Sequence, residues 1–142
     1  MARIGPILLI EDDQDDQELM EEVFKSLGVE NKLKFFNSSH EAYEYLKITE
    51  EKPFLILSDI NLPQMSGIEL KKKINESEKI RRKSIPFIFL STSSSHDAVL
   101  QAYENLAQGF FTKPQDMESL KNMIEMILTY WKVCNHPDPN LI

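Results

Sequence analysis

Cysteine, glycine and long apolar stretches are all scarce in this chain, and each scarcity excludes something. Cys134 is the only cysteine, so no intrachain disulfide can form, which agrees with a reducing compartment. Four glycines are too few for a glycine-rich phosphate cradle of the kind nucleotide-binding loops need. No apolar stretch approaches the length of a membrane span. The start, Met1-Ala2-Arg3-Ile4-Gly5, leads into a short apolar run that stops in acids without a cleavage site, so it does not read as a secretory signal, and a cytoplasmic protein is expected. His40, His96 and His136 are scattered without ligand spacing, which argues against a zinc site. Positive charge is in deficit: 16 basic residues face 23 acidic ones, a net charge of -7. A general nucleic-acid binder would need the reverse, because duplex affinity comes largely from neutralising phosphates. An acidic chain suits a cation better.

What is present fits one domain. The 142 residues leave no room for a second, output domain. Compact apolar runs occur at Pro6 to Ile10, Leu33 to Phe36, Phe54 to Leu57 and Phe87 to Leu90, with a shorter one at Phe110-Phe111. Continuous rather than alternating apolarity predicts strands covered on both faces, as in a parallel sheet. Helix-period segments lie between them. Leu19, Met20, Val23, Phe24 and Leu27 share one face, and Gly28 follows as a stop. Ala98, Val99, Ala102, Tyr103 and Leu106 repeat the pattern, as do Met117, Leu120, Met123, Ile124, Ile127 and Leu128. Weaker helices are expected around Glu41 to Lys47 and Ile68 to Asn75. Strand and helix thus alternate five times, which predicts an α/β fold with right-handed crossovers and helices on both faces. Residues 1–131 read as the domain, and 132–142, with Pro137 and Pro139, as a short irregular extension.

In open parallel sheets, ligands sit beyond the carboxyl ends of the strands, so the residues just after each run carry the chemistry. The first run ends in Glu11-Asp12-Asp13, the third in Ser58-Asp59-Ile60-Asn61, the fourth in Ser91-Thr92 and the fifth in Thr112-Lys113-Pro114. If those strands are neighbours, several carboxylates, a hydroxyl and an ammonium share one crevice. Grouped carboxylates resist joint ionisation unless a cation joins them. A hard, oxygen-loving ion such as Mg2+ resolves that conflict.

This series resembles a response-regulator receiver domain from about Pro6 to Tyr130: an acidic cluster, then Asp59-x-x-x-Pro63-x-x-x-Gly67, then Ser91, then Lys113-Pro114. The resemblance implies a flavodoxin-like fold, a five-stranded parallel sheet of order 2-1-3-4-5. It implies that Asp59 is the phosphoacceptor, that Asp12 binds Mg2+ directly, that Glu11 acts through water, and that the Asn61 carbonyl is a further metal ligand together with Asp59. Lys113 and Ser91 would contact the phosphoryl oxygens. Pro63 would stiffen the loop and Gly67 would let the chain enter the next helix. The peptide before Pro114 would be cis, aiming Lys113. Phe110 occupies the position of the family's switch aromatic, commonly tyrosine, and keeps the ring without its hydroxyl. Ser91 and Phe110 would together bias the face made by the fourth helix, fifth strand and fifth helix.

The expected function is a relay or switch. A sensor histidine kinase or histidine phosphotransfer protein, the phytochrome-type kinases among the candidates, would phosphorylate Asp59, and a downstream protein would read the altered surface. No membrane or nucleic acid is expected as a partner, and the same face is the expected place for a homodimer. The chain would not be an enzyme beyond metal-dependent self-phosphorylation and slow dephosphorylation. The alternative is a pseudo-receiver that binds partners without phosphorylation. A haloacid-dehalogenase-type phosphatase would place its aspartates after the first strand, whereas the best nucleophile here follows the third. Asp13, Asp15 and Asp16 suit the positive amino end of the first helix. Lys71-Lys72-Lys73 and Arg81-Arg82-Lys83 read as a solvated helix and loop. Trp131 would either anchor the tail or meet a second subunit.

Overall fold

The computed structural model describes residues 4–92 and 94–137. Five parallel strands, β1 (Ile7–Ile10), β2 (Leu33–Phe36), β3 (Leu55–Ser58), β4 (Phe87–Ser91) and β5 (Gly109–Thr112), form one sheet of order β2-β1-β3-β4-β5. The helices are α1 (Gln14–Ser26), α2 (Ser39–Ile48), α3 (Gly67–Glu76), the single turn α4 (Glu78–Arg81), α5 (His96–Glu104) and α6 (Met117–Val133). The fold is therefore flavodoxin-like, with the expected strand order.

The three inner strands explain the continuous apolar runs. Every residue of β1, β3 and β4 is buried, because helices cover both faces of the sheet. Alternate side chains supply two core layers. Leu8, Ile10, Ile56, Phe87 and Phe89 pack with Ala42 and Leu46 of α2 and with Ile68, Leu70 and Ile74 of α3. On the other face, Ile7, Leu9, Leu55, Leu57, Ile88 and Leu90 meet Met20, Val23 and Phe24 of α1 and Leu120, Ile124 and Ile127 of α6. The edge strand β2 is only half-buried throughout.

Local chemistry sets the helix starts. Asp13, Ser38, Ser66, Ser77, Ser95 and Asp116 each stand at an N-cap and accept a backbone N–H from the first turn. Ser66 and Glu69 complete a reciprocal capping box. Beyond α1, Gly28 adopts φ 65°, the left-handed stop its position predicts.

Three features depart from the expectations. The turn α4 lies between the third helix and β4, so the fourth and fifth helices of the sequence reading are α5 and α6. Lys71 and Lys83 are buried rather than solvated. Lys83 Nζ donates to the carbonyls of Thr49 and Glu51, both at 2.9 Å, and Lys71 Nζ to Asn75 Oδ1 at 2.8 Å, so their ammonium groups replace water contacts with protein oxygens. Finally, α6 continues to Val133, two residues into the stretch expected as an extension. The segment beyond it folds back: His136 Nε2 lies 2.7 Å from the Trp131 carbonyl and its ring packs 5.4 Å from that of Phe54. Trp131 thus anchors the tail through its backbone and its own ring, 6.1 Å from His136. Pro139 lies outside the described residues.

Candidate functional site

At the carboxyl ends of β1 and β3, register carries Ile10 opposite Ser58, so the residues that follow, Glu11 and Asp59, leave the sheet side by side. Asp59 N–H donates to the Ile10 carbonyl at 3.0 Å, which fixes the start of its loop. One oxygen each of Glu11, Asp12 and Asp59 lies within 4.8 Å of the others.

These carboxylates are not equivalent. Asp59 is half-buried, and its Oδ1 accepts the amides of Ile60 at 2.7 Å and Asn61 at 3.4 Å. Its Oδ2 accepts no hydrogen bond among the described residues. One oxygen is thus held by the loop amides while the other is left without a hydrogen bond among the described residues. Glu11 is buried and fully engaged: Oε1 pairs with Lys113 Nζ and Oε2 accepts the Asp13 amide at 3.2 Å. Asp12 is exposed and makes no hydrogen bond among the described residues. The Asn61 carbonyl likewise accepts none there. Burial pushes the carboxyls of Asp59 and Glu11 above their ordinary values, against the opposing pull of Lys113. For Lys113 itself, burial pulls the ammonium down, but Glu11, Asp59 and Asp16 together outweigh it and hold it above its ordinary value.

Three carboxylates against one ammonium leave an excess of negative charge that a divalent cation matches. The donor set is all oxygen. Asp12 and the Asn61 carbonyl are free to bind directly, whereas Glu11, already spoken for on both oxygens, is better placed to act through water. The residues therefore fit a hard cation such as Mg2+.

Lys113 reaches the crevice from the end of β5. Its backbone N–H donates to the Ser91 carbonyl at 2.7 Å, and its ammonium meets Glu11 and, at 3.5 Å, Asp16 Oδ2. The expected cis peptide before Pro114 is absent: no peptide bond among the described residues is cis. The backbone bond and the two carboxylates aim Lys113 with the trans isomer, which an X–Pro bond favours by about 0.5–1 kcal/mol. Ser91 is buried at the end of β4, its backbone joined to Lys113, and the crevice wall beside Lys113 is supplied by exposed Thr92. Phe110 is half-buried, its ring 6.3 Å from that of Phe89.

The loop after Asp59 shows why its small and rigid residues matter. A Cβ on Gly67 would overlap the Asp59 carbonyl oxygen and stand 2.9 Å from Phe89 Cε1. Space, then, requires glycine there, while the left-handed turn of the loop falls on Gln64, φ 68°. Pro63 fixes φ just before that turn and its carbonyl accepts the Met65 amide at 2.8 Å.

Sequence reasoning missed two contributors. Asp16, read only as an acid favouring the helix start, also pairs with Lys113. Gln17 Nε2 donates to the Glu11 carbonyl and to Asn37 Oδ1 at 2.7 Å, tying the acidic loop to the end of β2. Asp16 stands one turn along the chain from Asp12, a spacing that could have signalled a shared direction.

A doubly wound parallel sheet with an acid cluster at the carboxyl ends of its first and third strands and a lysine reaching it from the fifth narrows the class of protein. The response regulator receiver domain family matches residues 7–125, and the chain belongs to it. It is 33% identical over 129 residues to the probable methanogenesis regulatory protein FilR2 of Methanothrix harundinacea, covering 88% of this chain and 82% of that protein. It is 32% identical to the response regulator Rcp1 of Synechocystis, covering 88% and 87% respectively. Among solved structures, the phosphorylated cyanobacterial phytochrome response regulator RcpA superposes with a TM-score of 0.84 at 27% identity, over 94% of this chain and 98% of that one. The Mn2+-bound form of Rcp1 does so with a TM-score of 0.79 at 30% identity, over 93% and 98%. The chain is thus a receiver-type response regulator of two-component signalling, and a relative of the same fold holds a divalent metal.

Proposed function

We propose that this chain is a phosphoacceptor whose nucleophile is Asp59, dependent on Mg2+, and phosphorylated by a histidine kinase or histidine phosphotransfer protein. One observation carries the reading: Asp59 has one oxygen held by the Ile60 and Asn61 amides and the other without a hydrogen bond among the described residues, in a cluster with Glu11 and Asp12 to which Lys113 is tied through Glu11. The free oxygen attacks phosphorus, and the bond from phosphorus to the donor breaks. Asp12, Asp59 and the Asn61 carbonyl would hold the metal, with Glu11 acting through water. Bound there, Mg2+ supplies charge neutralisation at the phosphoryl oxygens. Lys113 contributes an ammonium to the same oxygens, and Ser91 a hydroxyl from the end of β4.

The output is a changed surface rather than a product. Ser91 and Phe110 link the acceptor to the face formed by α5, β5 and α6, where a downstream protein or a second copy would bind. Turnover is limited to self-phosphorylation from a donor and slow loss of the phosphoryl group, in the cytoplasm. The similarity to RcpA, a phytochrome response regulator, makes phytochrome-type kinases the first donors to try.

The test is intact mass after incubation with acetyl phosphate and Mg2+, with Asp59→Asn and a chelated sample as controls. A single labile phosphoryl adduct, absent from both controls, is the expected result. No adduct, under conditions that label a known receiver, would replace this reading with a pseudo-receiver that binds partners unphosphorylated.

A further inference from the structure

Asp16 is a charged contact of the site to which the acceptor chemistry assigns no task. It stands in the first turn of α1, and its Oδ2 lies 3.5 Å from Lys113 Nζ. The Lys113 ammonium is already paired with Glu11, just beyond the end of β1. A lysine ammonium is a compact charge with three rotatable donors on a flexible four-carbon stem. Held by Glu11 alone, it could swing about that single contact. A second carboxylate, brought in by a different element, removes that freedom.

Where the ammonium is held matters for Asp59. Lys113, Glu11 and Asp59 line one small cavity of about 10 Å3, room for about one water. The Lys113 charge pulls on the Asp59 carboxyl, yet the two make no ion pair among the described residues. The ammonium is thus kept near the acceptor without being bound to it. Charge at the amino end of the helix does not explain the Asp16 contact. Asp15 shares the first turn, is exposed, and pairs with no cation among the described residues.

We propose that Asp16 is a positioning residue: with Glu11 it holds the Lys113 ammonium beside Asp59, so that the phosphoryl oxygens meet a cation already in place. The inference rests on the reading of Asp59 as acceptor. A donor fixed before charge arrives needs no reorganisation at the moment of reaction, and that is where the gain lies. The competing effect is repulsion, because a carboxylate near an arriving phosphoryl group opposes it. The two effects differ in sign: loss of Asp16 slows labelling if it positions Lys113 and speeds labelling if repulsion governs. The Asp16 side chain is 35% exposed, which limits the size of either effect.

Rates of adduct formation with acetyl phosphate and Mg2+, read by intact mass, test this in the wild type, Asp16→Asn, Asp16→Glu and Asp15→Asn. The melting temperature of each is measured with and without Mg2+. Asp16→Asn should label about fivefold more slowly, the size expected of a partly exposed ion pair, while its Mg2+-dependent rise in melting temperature stays that of the wild type. Asp16→Glu should bring the rate back to within about twofold of the wild type, and Asp15→Asn, which removes the same charge from the same turn, should leave it unchanged. An Asp16→Asn rate within about twofold of the wild type, or above it, overturns the proposal. So does an equal slowing in Asp15→Asn, which would make the effect one of charge at the helix start, or a lost Mg2+ response in Asp16→Asn, which would place it at the metal. In a Lys113→Met background, Asp16→Asn should slow labelling no further; a slowing of the same size there would show that Asp16 acts without Lys113. Should that background fail to fold, the Asp15→Asn comparison decides alone. Failure of the wild type to label is a different result: it removes the acceptor reading itself and the positioning role with it.

Discussion

Lys113 and Glu11, from opposite ends of the chain, meet as a nearly enclosed ion pair: their side chains are 11% and 7% exposed. The pair joins the end of β5 to the end of β1. It places the Lys113 ammonium on Glu11 rather than on Asp59, with which it makes no ion pair among the described residues.

Because the pair is buried, breaking it on one side should be costly. Lys113→Met leaves Glu11 charged and enclosed, and should lower the unfolding free energy by about 3–5 kcal/mol at neutral pH. Adding Glu11→Gln to that variant should recover most of the loss, since the uncompensated charge is gone. Urea unfolding of the wild type and the two variants measures this. A single variant as stable as the wild type would mean that the pair contributes nothing.

The raised carboxyl of Asp59 predicts a pH dependence whose sign is fixed. A group whose folded pKa lies above its unfolded value favours folding most below the unfolded value, and that contribution is lost as pH rises through the folded one. In metal-free protein, Asp59→Asn should therefore gain stability over the wild type as pH rises from about 4 towards 7, the window above the ordinary carboxylate range. The gain should shrink at the acid end. Thermal unfolding of both proteins in chelator, across that range, gives the comparison; a difference that grows towards acid would contradict the direction.

Much of this was legible in sequence, and the boundary is physical. Strands covered on both faces write continuous apolar runs, so β1, β3 and β4 could be read directly, and strand ends that converge in space made Asp59, Asp12 and Lys113 readable as a group. The turn α4 could not: its four residues, Glu78–Arg81, carry one buried side chain, Ile80, and no stripe. Nor could the burial of Lys83, whose partners Thr49 and Glu51 are carbonyls that any residue could supply. The contact of Asp16 with Lys113 depends on how α1 sits against the β5 loop, which periodicity does not specify. The trans bond at Pro114 is a local isomer choice that the dipeptide leaves open.

Metal binding should be visible as stability. A cation that binds only the folded chain adds about 2.7 kcal/mol at a hundredfold excess over its dissociation constant. Mg2+ should raise the melting temperature of the wild type, and Asp12→Asn should abolish most of that rise while changing the metal-free melting temperature little, because Asp12 is exposed and unbonded among the described residues. An Asp12→Asn protein that responds to Mg2+ like the wild type would move the site away from the acid cluster.

The loop that presents Asp59 offers a test of fold and chemistry together. Gly67 stands at the first position of α3, its amide donating to the Ile60 carbonyl at 2.9 Å, and its α-carbon lies against the backbone of Asp59 and the ring of Phe89. Neither neighbour is free to move: Phe89 is fully buried, and the Asp59 carbonyl already accepts the Ser58 hydroxyl at 2.8 Å. Gly67→Ala should thus cost about 1–3 kcal/mol by overpacking, although alanine is the better helix former. Since relief requires the Asp59 backbone to shift, adduct formation with acetyl phosphate should slow as well. Ser66→Ala is the control, because it removes the helix cap, worth about 0.5–2 kcal/mol, without filling that space. If the two variants lose similar stability but only Gly67→Ala labels slowly, the close approach at Gly67 sets the position of the acceptor; equal labelling rates would reduce Gly67 to a packing residue.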